Sequence, residues 1–197
     1  MNDGITKLLN PLADGSRYLN DPVLGKVKIH PSVLIIGLMN PETYRGTQKL
    51  PQEFRSRARI ESDKYPYEQE EAFMYSKYAL PAVAKLSESE FAVLWDRYIV
   101  RDEVPNDQSL YTVFKVLHKV TKVANKMREV YIKTMNNELA FDEEMELIFT
   151  LREGIFTLQD YNHTGDIVAS LKDVVLNKIS DKKQKEVAAA IIDQQCA

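Results

Sequence analysis

The spacing of apolar residues changes character along this 197-residue chain, and the change falls near Pro66. Before it, apolar positions come in short, broken groups. Ile5, Leu8, Leu9 and Leu12 lie at helical spacing, and Asp14-Gly15 stops that helix. The turn-rich stretch SRYLNDPVLG follows, and Lys26 to Ile29 then alternates like a half-exposed strand that His30-Pro31 breaks. Val33 to Met39 is a continuous apolar run bounded by turn residues, the pattern of a strand buried on both faces. It ends at Asn40-Pro41, and the polar loop ETYRGTQK comes next. PQEFRSR predicts a short helix, and Arg59 to Ser62 a brief edge strand.

Beyond Pro66 the period becomes helical. Glu68 to Leu80 carries Ala72, Phe73, Tyr75 and Ala79, with Pro81 ending it. Ser87-Glu88-Ser89-Glu90 predicts a capping box ahead of Phe91, Leu94, Trp95 and Tyr98. Leu110, Phe114, Leu117, Val120, Ala124, Met127, Tyr131 and Met135 recur every three or four residues and predict one long helix. A helix over Asp142 to Leu151 closed by Gly154, another over Thr157 to Ile179, and a last one over Lys182 to Ile192 complete the expectation. The fold class is therefore α+β, mostly α. Residues 1–66 form a small α/β part, and residues 67–197 a larger helical domain.

Composition narrows the function classes. With 44% hydrophobic and 28% charged residues, the chain has material for a folded core. The seven-residue run at Val33 is far below the roughly 20 apolar residues of a membrane helix. No secretory signal is visible at the start. The single cysteine, Cys196, can form no internal disulfide or cluster, and its place near a fraying end argues against a nucleophile. A cytoplasmic protein is expected, with no membrane partner. Residues 1–60 carry a charge of +4 and residues 61–197 carry −7. That asymmetry suggests two parts with different partners, and the acidic helical part disfavours nucleic acid.

Candidate chemistry is sparse. No G-x-x-x-x-G-K-[ST] loop and no G-x-G-x-x-G is present. His30, His118 and His163 have no metal-type spacing, so no metal ligand set is expected. Adjacent acids such as Glu70-Glu71 and Glu143-Glu144 read as solvated surface. One constellation remains: Asn40 at the carboxyl end of the predicted strand, followed by Arg55, Arg57 and Arg59. Ligands of open α/β sheets sit beyond such strand ends, where an amide can orient a phosphate oxygen or water. Arginines there can stabilise phosphate charge. The same residues also fit a turn cap and ordinary surface arginines.

Residues 8 to 72 resemble the second half of the ATPase core of AAA+ proteins, in the MoxR-like and dynein- or midasin-related branch. The resemblance rests on LLNPLADGSRYL, on GKVKIHPSVLIIGLMNPETYRGTQKLPQEFRSRARI, and on the P-x-x-x-EE pattern at Pro66 to Glu71. It implies a hairpin ending in His-Pro, a strand ending in Asn-Pro, then Tyr-x-Gly, a Leu-Pro helix start and Arg-x-Arg. It also implies that Asn40 is the sensor-1 residue near the γ-phosphate. Arg57 would be the arginine finger offered to a neighbouring subunit, and Arg55 a second basic residue beside it. The helical remainder would be the lid, with Gln159 in Thr157-Leu158-Gln159 where the family carries its sensor-2 arginine. Ala58 stands where the family usually has Phe. The family's phosphate loop and magnesium-binding strand lie upstream of the segment matching Ile5 to Leu12. ATP and Mg²⁺ are thus expected for a complete parent protein, with nothing tightly bound to this chain alone and no activity from it. The implied partners are neighbouring subunits of a homo-oligomeric ring and a protein client. A nucleotide-independent helical interaction module on a degenerate AAA+ scaffold is the alternative.

Overall fold

A computed structural model describes residues 16–33, 36–37, 52, 65–140 and 143–197. The chain divides into two compact units, residues 1–64 and 65–197. Among the described residues the architecture is α+β and mostly α, with one two-stranded antiparallel sheet.

In the first unit, β1 (Tyr18–Asp21) pairs with β2 (Gly25–Lys28) in a register that sets Tyr18 opposite Lys28 and Asp21 opposite Gly25. Pro22 to Leu24 make the turn. Asp21 Oδ1 accepts hydrogen bonds from the amides of Val23 (2.8 Å) and Leu24 (2.7 Å), and these hold its carboxyl below the usual range. Gly25 sits at φ 72°, the left-handed position that closes a three-residue hairpin loop. Residues 18–21 are therefore a strand, although their composition reads as turn. The turn chemistry belongs to the residues that follow them. At the open end, Arg17 Nη1 donates to the carbonyl of Pro31 at 2.5 Å, and the Ile29 amide donates to the Arg17 carbonyl at 2.8 Å.

The helix expected over Ile5 to Leu12 and the edge strand at Arg59 to Ser62 lie outside the described residues. So does the helix at PQEFRSR, apart from Gln52, which is helical. Of the apolar run 33–39 only Val33, Ile36 and Gly37 are described. None of these lies in a strand, and Val33 and Ile36 are exposed. A strand buried on both faces needs neighbours, and the sole ladder among the described residues is the β1–β2 hairpin.

The second unit holds the core. Helix α1 (Glu68–Ala79) buries Ala72, Tyr75 and Ala79, and ends where Leu80 is extended ahead of Pro81. Helix α2 (Glu88–Trp95) starts at the Ser87 capping box, in which Glu90 Oε2 accepts from the Ser87 amide at 2.8 Å and Ser87 Oγ from the Glu90 amide at 3.3 Å. It continues into a π-helical turn, Asp96–Val100, which brings Tyr98 inward. Helix α3 (Gln108–Met135) buries the expected stripe, from Phe114 through Tyr131. The rings of Phe73, Phe91, Trp95, Tyr98 and Phe114 form a connected aromatic cluster, with Phe91 and Phe114 centroids 4.8 Å apart.

Two helix boundaries differ from the expectation. Residues 143–150 are not helical. Met145 and Phe149 are buried, and the backbone there is satisfied by side chains. The Met145 amide donates to Thr134 Oγ1 (2.9 Å), the Glu146 amide to Gln184 Oε1 (3.1 Å), and the Phe149 carbonyl accepts from Arg128 (2.8 Å). Helix α4 (Leu151–Thr164) begins instead at a Thr150–Glu153 capping box, so Gly154 lies inside it. The long helix expected over residues 157–179 is broken in two. Gly165, at φ 71°, terminates α4, and Asp166 caps α5 (Ile167–Leu176) by accepting from the amides of Val168 and Ala169. Helix α6 (Lys182–Cys196), capped by Asp181, runs four residues past its expected end. No helix among the described residues is long and apolar enough to cross a membrane.

Candidate functional site

Asn40, Arg55 and Arg57, the residues expected to meet phosphate, lie outside the described residues. Gln159 is described, and it is exposed on α4. It sits well inside the helix rather than at its start, because the start is taken by Thr150 and Glu153. The neighbouring Thr157 is fully buried, and its hydroxyl has no hydrogen-bond partner among the described residues. Of the four expected site residues, Gln159 alone falls among the described residues.

What it does assemble is a buried polar node on α3. Glu71, 0% exposed, faces Arg128, 4% exposed, across a two-point ion pair: Nη1 to Oε2 at 2.8 Å and Nη2 to Oε1 at 2.5 Å. Tyr75, one turn along α1 from Glu71, donates its hydroxyl to the same Oε1. Arg128 Nε donates to the Phe149 carbonyl, and the Tyr65 ring covers the guanidinium at 3.8 Å from its centroid. Burial, reinforced by the Glu71 charge, pushes the Tyr75 phenol far above its usual range. Burial also opposes charge on Arg128, but Glu71 outweighs it and holds the guanidinium protonated. Glu71, Tyr75 and Arg128 are buried and their strong donors and acceptors are engaged with one another and with the Phe149 carbonyl, so the node ties α1 to α3.

Glu71 therefore corrects the expectation that Glu70-Glu71 is solvated surface. The signal was present in the pattern. Position 71 is one turn before Tyr75, and position 128 falls on the apolar stripe between Ala124 and Tyr131. A charge on each of two buried stripes asks for a partner.

A second polar group lies at the start of α1. Glu68 Oε1 accepts from Thr121 Oγ1 at 3.0 Å and lies 3.2 Å from His118 Nε2, while the His118 ring meets Trp95 edge-on. Burial would raise the Glu68 carboxyl, but His118, Thr121 and Lys122 together bring it below its usual range. His118 is accordingly a partly buried helix residue with a local partner. Elsewhere, Glu153 joins Lys178 (2.5 Å) to the α4 cap. Cys196 is the last residue of α6 and is nevertheless buried, and burial pushes its thiol up, which keeps it protonated. A shallow groove of about 410 Å³, lined by Leu86, Ser89, Glu90, Val93 and Leu94, runs beside α2. No cluster of His, Cys, Asp and Glu among the described residues could hold a metal ion.

No protein-family model, curated protein or solved structure matches the chain.

Proposed function

We propose that the chain is the C-terminal portion of a ring-forming AAA+ ATPase that couples ATP hydrolysis to remodelling of a protein partner. One observation carries the reading: short motifs in a fixed order between Leu8 and Glu71, ending at Arg55-Ser56-Arg57 and the Pro66 to Glu71 pattern. The described hairpin supports it, since β1 and β2 run directly into His30-Pro31, where the motif order requires a small hairpin. In this reading ATP and Mg²⁺ are held largely by a phosphate loop and an acidic strand encoded upstream. Asn40 orients the attacking water, an amide being able to do so without adding charge. Arg57, beside Arg55, offers its guanidinium to the γ-phosphate bound by the adjacent subunit of a homo-oligomeric ring. The helical unit, with Gln159 in place of a sensor-2 arginine, acts as the lid.

The experiment is ATP turnover by the complete protein. Arg57→Ala should leave ATP affinity near wild type and cut turnover by roughly 10³ to 10⁵, the range of fingers supplied in trans. Mixing Arg57→Ala subunits with phosphate-loop mutants should restore part of the activity. Normal turnover from both Arg57→Ala and Arg55→Ala would refute the assignment. The identity of Gln159 favours one competing reading, a helical interaction module on a degenerate scaffold, because an uncharged glutamine cannot supply the charge that a sensor-2 arginine brings to a phosphate. That reading expects a complete protein with no magnesium-dependent ATP binding.

A further inference from the structure

Near the point where the helical unit begins, three side chains of one short stretch turn to the same helix. Tyr65, Glu68 and Glu71 each reach α3 through a specific partner: Tyr65 and Glu71 through Arg128, Glu68 through His118 and Thr121. Three side chains within seven residues are thus tied to one helix. The first turn of a helix is ordinarily its weakest, because its amides lack intrahelical acceptors and its residues fray. A buried ion pair is also a costly way to add stability, since apolar residues of similar volume do as well or better. What the pair does supply is geometry. A two-point guanidinium–carboxylate contact fixes both distance and orientation, and the Phe149 carbonyl fixes the guanidinium from another side.

We propose that Arg128 is a positioning residue that latches Tyr65 and the first turn of α1 to α3, so that the helical body begins mechanically at Tyr65. The Tyr65 ring is the closing element. It shields the Glu71–Arg128 pair from water, and a shielded pair is stronger than a wetted one. A displacement applied to the chain at Tyr65 is then passed to α3 instead of being absorbed by fraying of α1. This goes beyond the ATPase reading and stands without it.

Hydrogen exchange on the full chain tests the latch, read at the amides of Glu71 and Ala72, which close the first turn of α1. Tyr65→Leu should accelerate exchange at these two amides by roughly tenfold while the amides of α3 and α5 keep their wild-type rates. Tyr65→Phe keeps the ring and should match wild type, which separates the ring from any contact of the hydroxyl. A third variant, Glu71→Leu/Tyr75→Phe/Arg128→Met, replaces the node by apolar groups and leaves no stranded charge. It should fold with a similar thermal midpoint and yet exchange faster at the first turn. Wild-type exchange at Glu71 and Ala72 in Tyr65→Leu would overturn the proposal. So would a Tyr65→Phe variant that exchanges as fast as Tyr65→Leu. None of these readouts depends on ATP, so they fail or succeed apart from the ATPase assignment.

Discussion

The hairpin and the helical unit solve opposite problems with the same repertoire of contacts. In the hairpin, the tip residues Val23 and Leu24 are 90% and 76% exposed, and order comes from an aspartate cap, a left-handed glycine and an arginine bridge. In the helical unit, apolar burial sets the fold, and its buried charges, Glu71 and Arg128, are paired with each other. A two-stranded hairpin has no core of its own, so its local hydrogen bonds carry its shape. The same kinds of bonds inside the helical unit carry a penalty if broken, because the surviving partner stays buried. The comparison teaches where substitutions should hurt.

The largest effect is expected at Arg128. Arg128→Ala leaves the Glu71 carboxylate buried and unpaired, which should cost about 3–5 kcal/mol of unfolding free energy in urea titrations. A loss below about 1 kcal/mol would mean that water reaches Glu71 and would erase the contrast with the hairpin.

Gly154→Ala should come next. A Cβ at this position would collide with Cζ of the fully buried Tyr75 ring, so either α4 or the ring must shift. Overpacking of this kind costs about 1–3 kcal/mol. Tyr75→Leu in the same chain should remove much of that cost, because the ring that meets the new methyl is gone. Strictly additive effects would show that the two residues are not in contact in solution.

Acid sensitivity is smaller and has a definite sign. Burial alone would raise the Glu153 carboxyl, but Lys178 and Thr150 hold it below its ordinary 4.5. A depressed folded-state value means the unfolded chain takes up the proton first. The stabilisation is therefore complete above about pH 4.5 and is lost as pH falls through the folded value. Glu153→Gln should flatten this part of the acid limb of the stability curve, and an unchanged limb would place the acid lability elsewhere.

Legibility in the sequence followed the same division. The long helix α3 and the Ser87 cap were readable because periodicity and capping are local and the structure leaves them undisturbed. The segment 143–150 was not, since its conformation is decided by Thr134, Gln184 and Arg128, all distant in sequence. The break between α4 and α5 was legible in principle, as Thr164-Gly165-Asp166 places a stop beside a start; apolar periodicity running on to Ile179 masked it. Glu71 reads as surface from its adjacency to Glu70, whereas its burial follows from its place on the helical stripe one turn before Tyr75 and from Arg128, distant in sequence. Of the candidate site, Asn40, Arg55 and Arg57 rest on motif order and on the predicted strand end at Asn40, and the position of Gln159 in α4 depended on a helix start that the Gly154 stop signal obscured.

The smallest effect is expected from Asp21→Ala, and it sharpens the comparison from the hairpin side. The Asp21 carboxylate accepts from two consecutive amides, those of Val23 and Leu24, and the turn geometry depends on this pair of bonds and on Gly25. Alanine offers no acceptor, so both amides turn to water. Because the loop is already exposed, water can satisfy them, and no buried group is stranded. Exchange at the Val23 and Leu24 amides should therefore rise to near the unprotected rate, while the thermal midpoint of the helical unit stays at its wild-type value. Substituting Asp21 by Asn retains an acceptor and should keep most of the protection, since an amide oxygen supports the same turn. A shift of the helical midpoint in Asp21→Ala would show that hairpin order and helical core are energetically coupled, and the division between locally bonded and apolar-packed regions would fail.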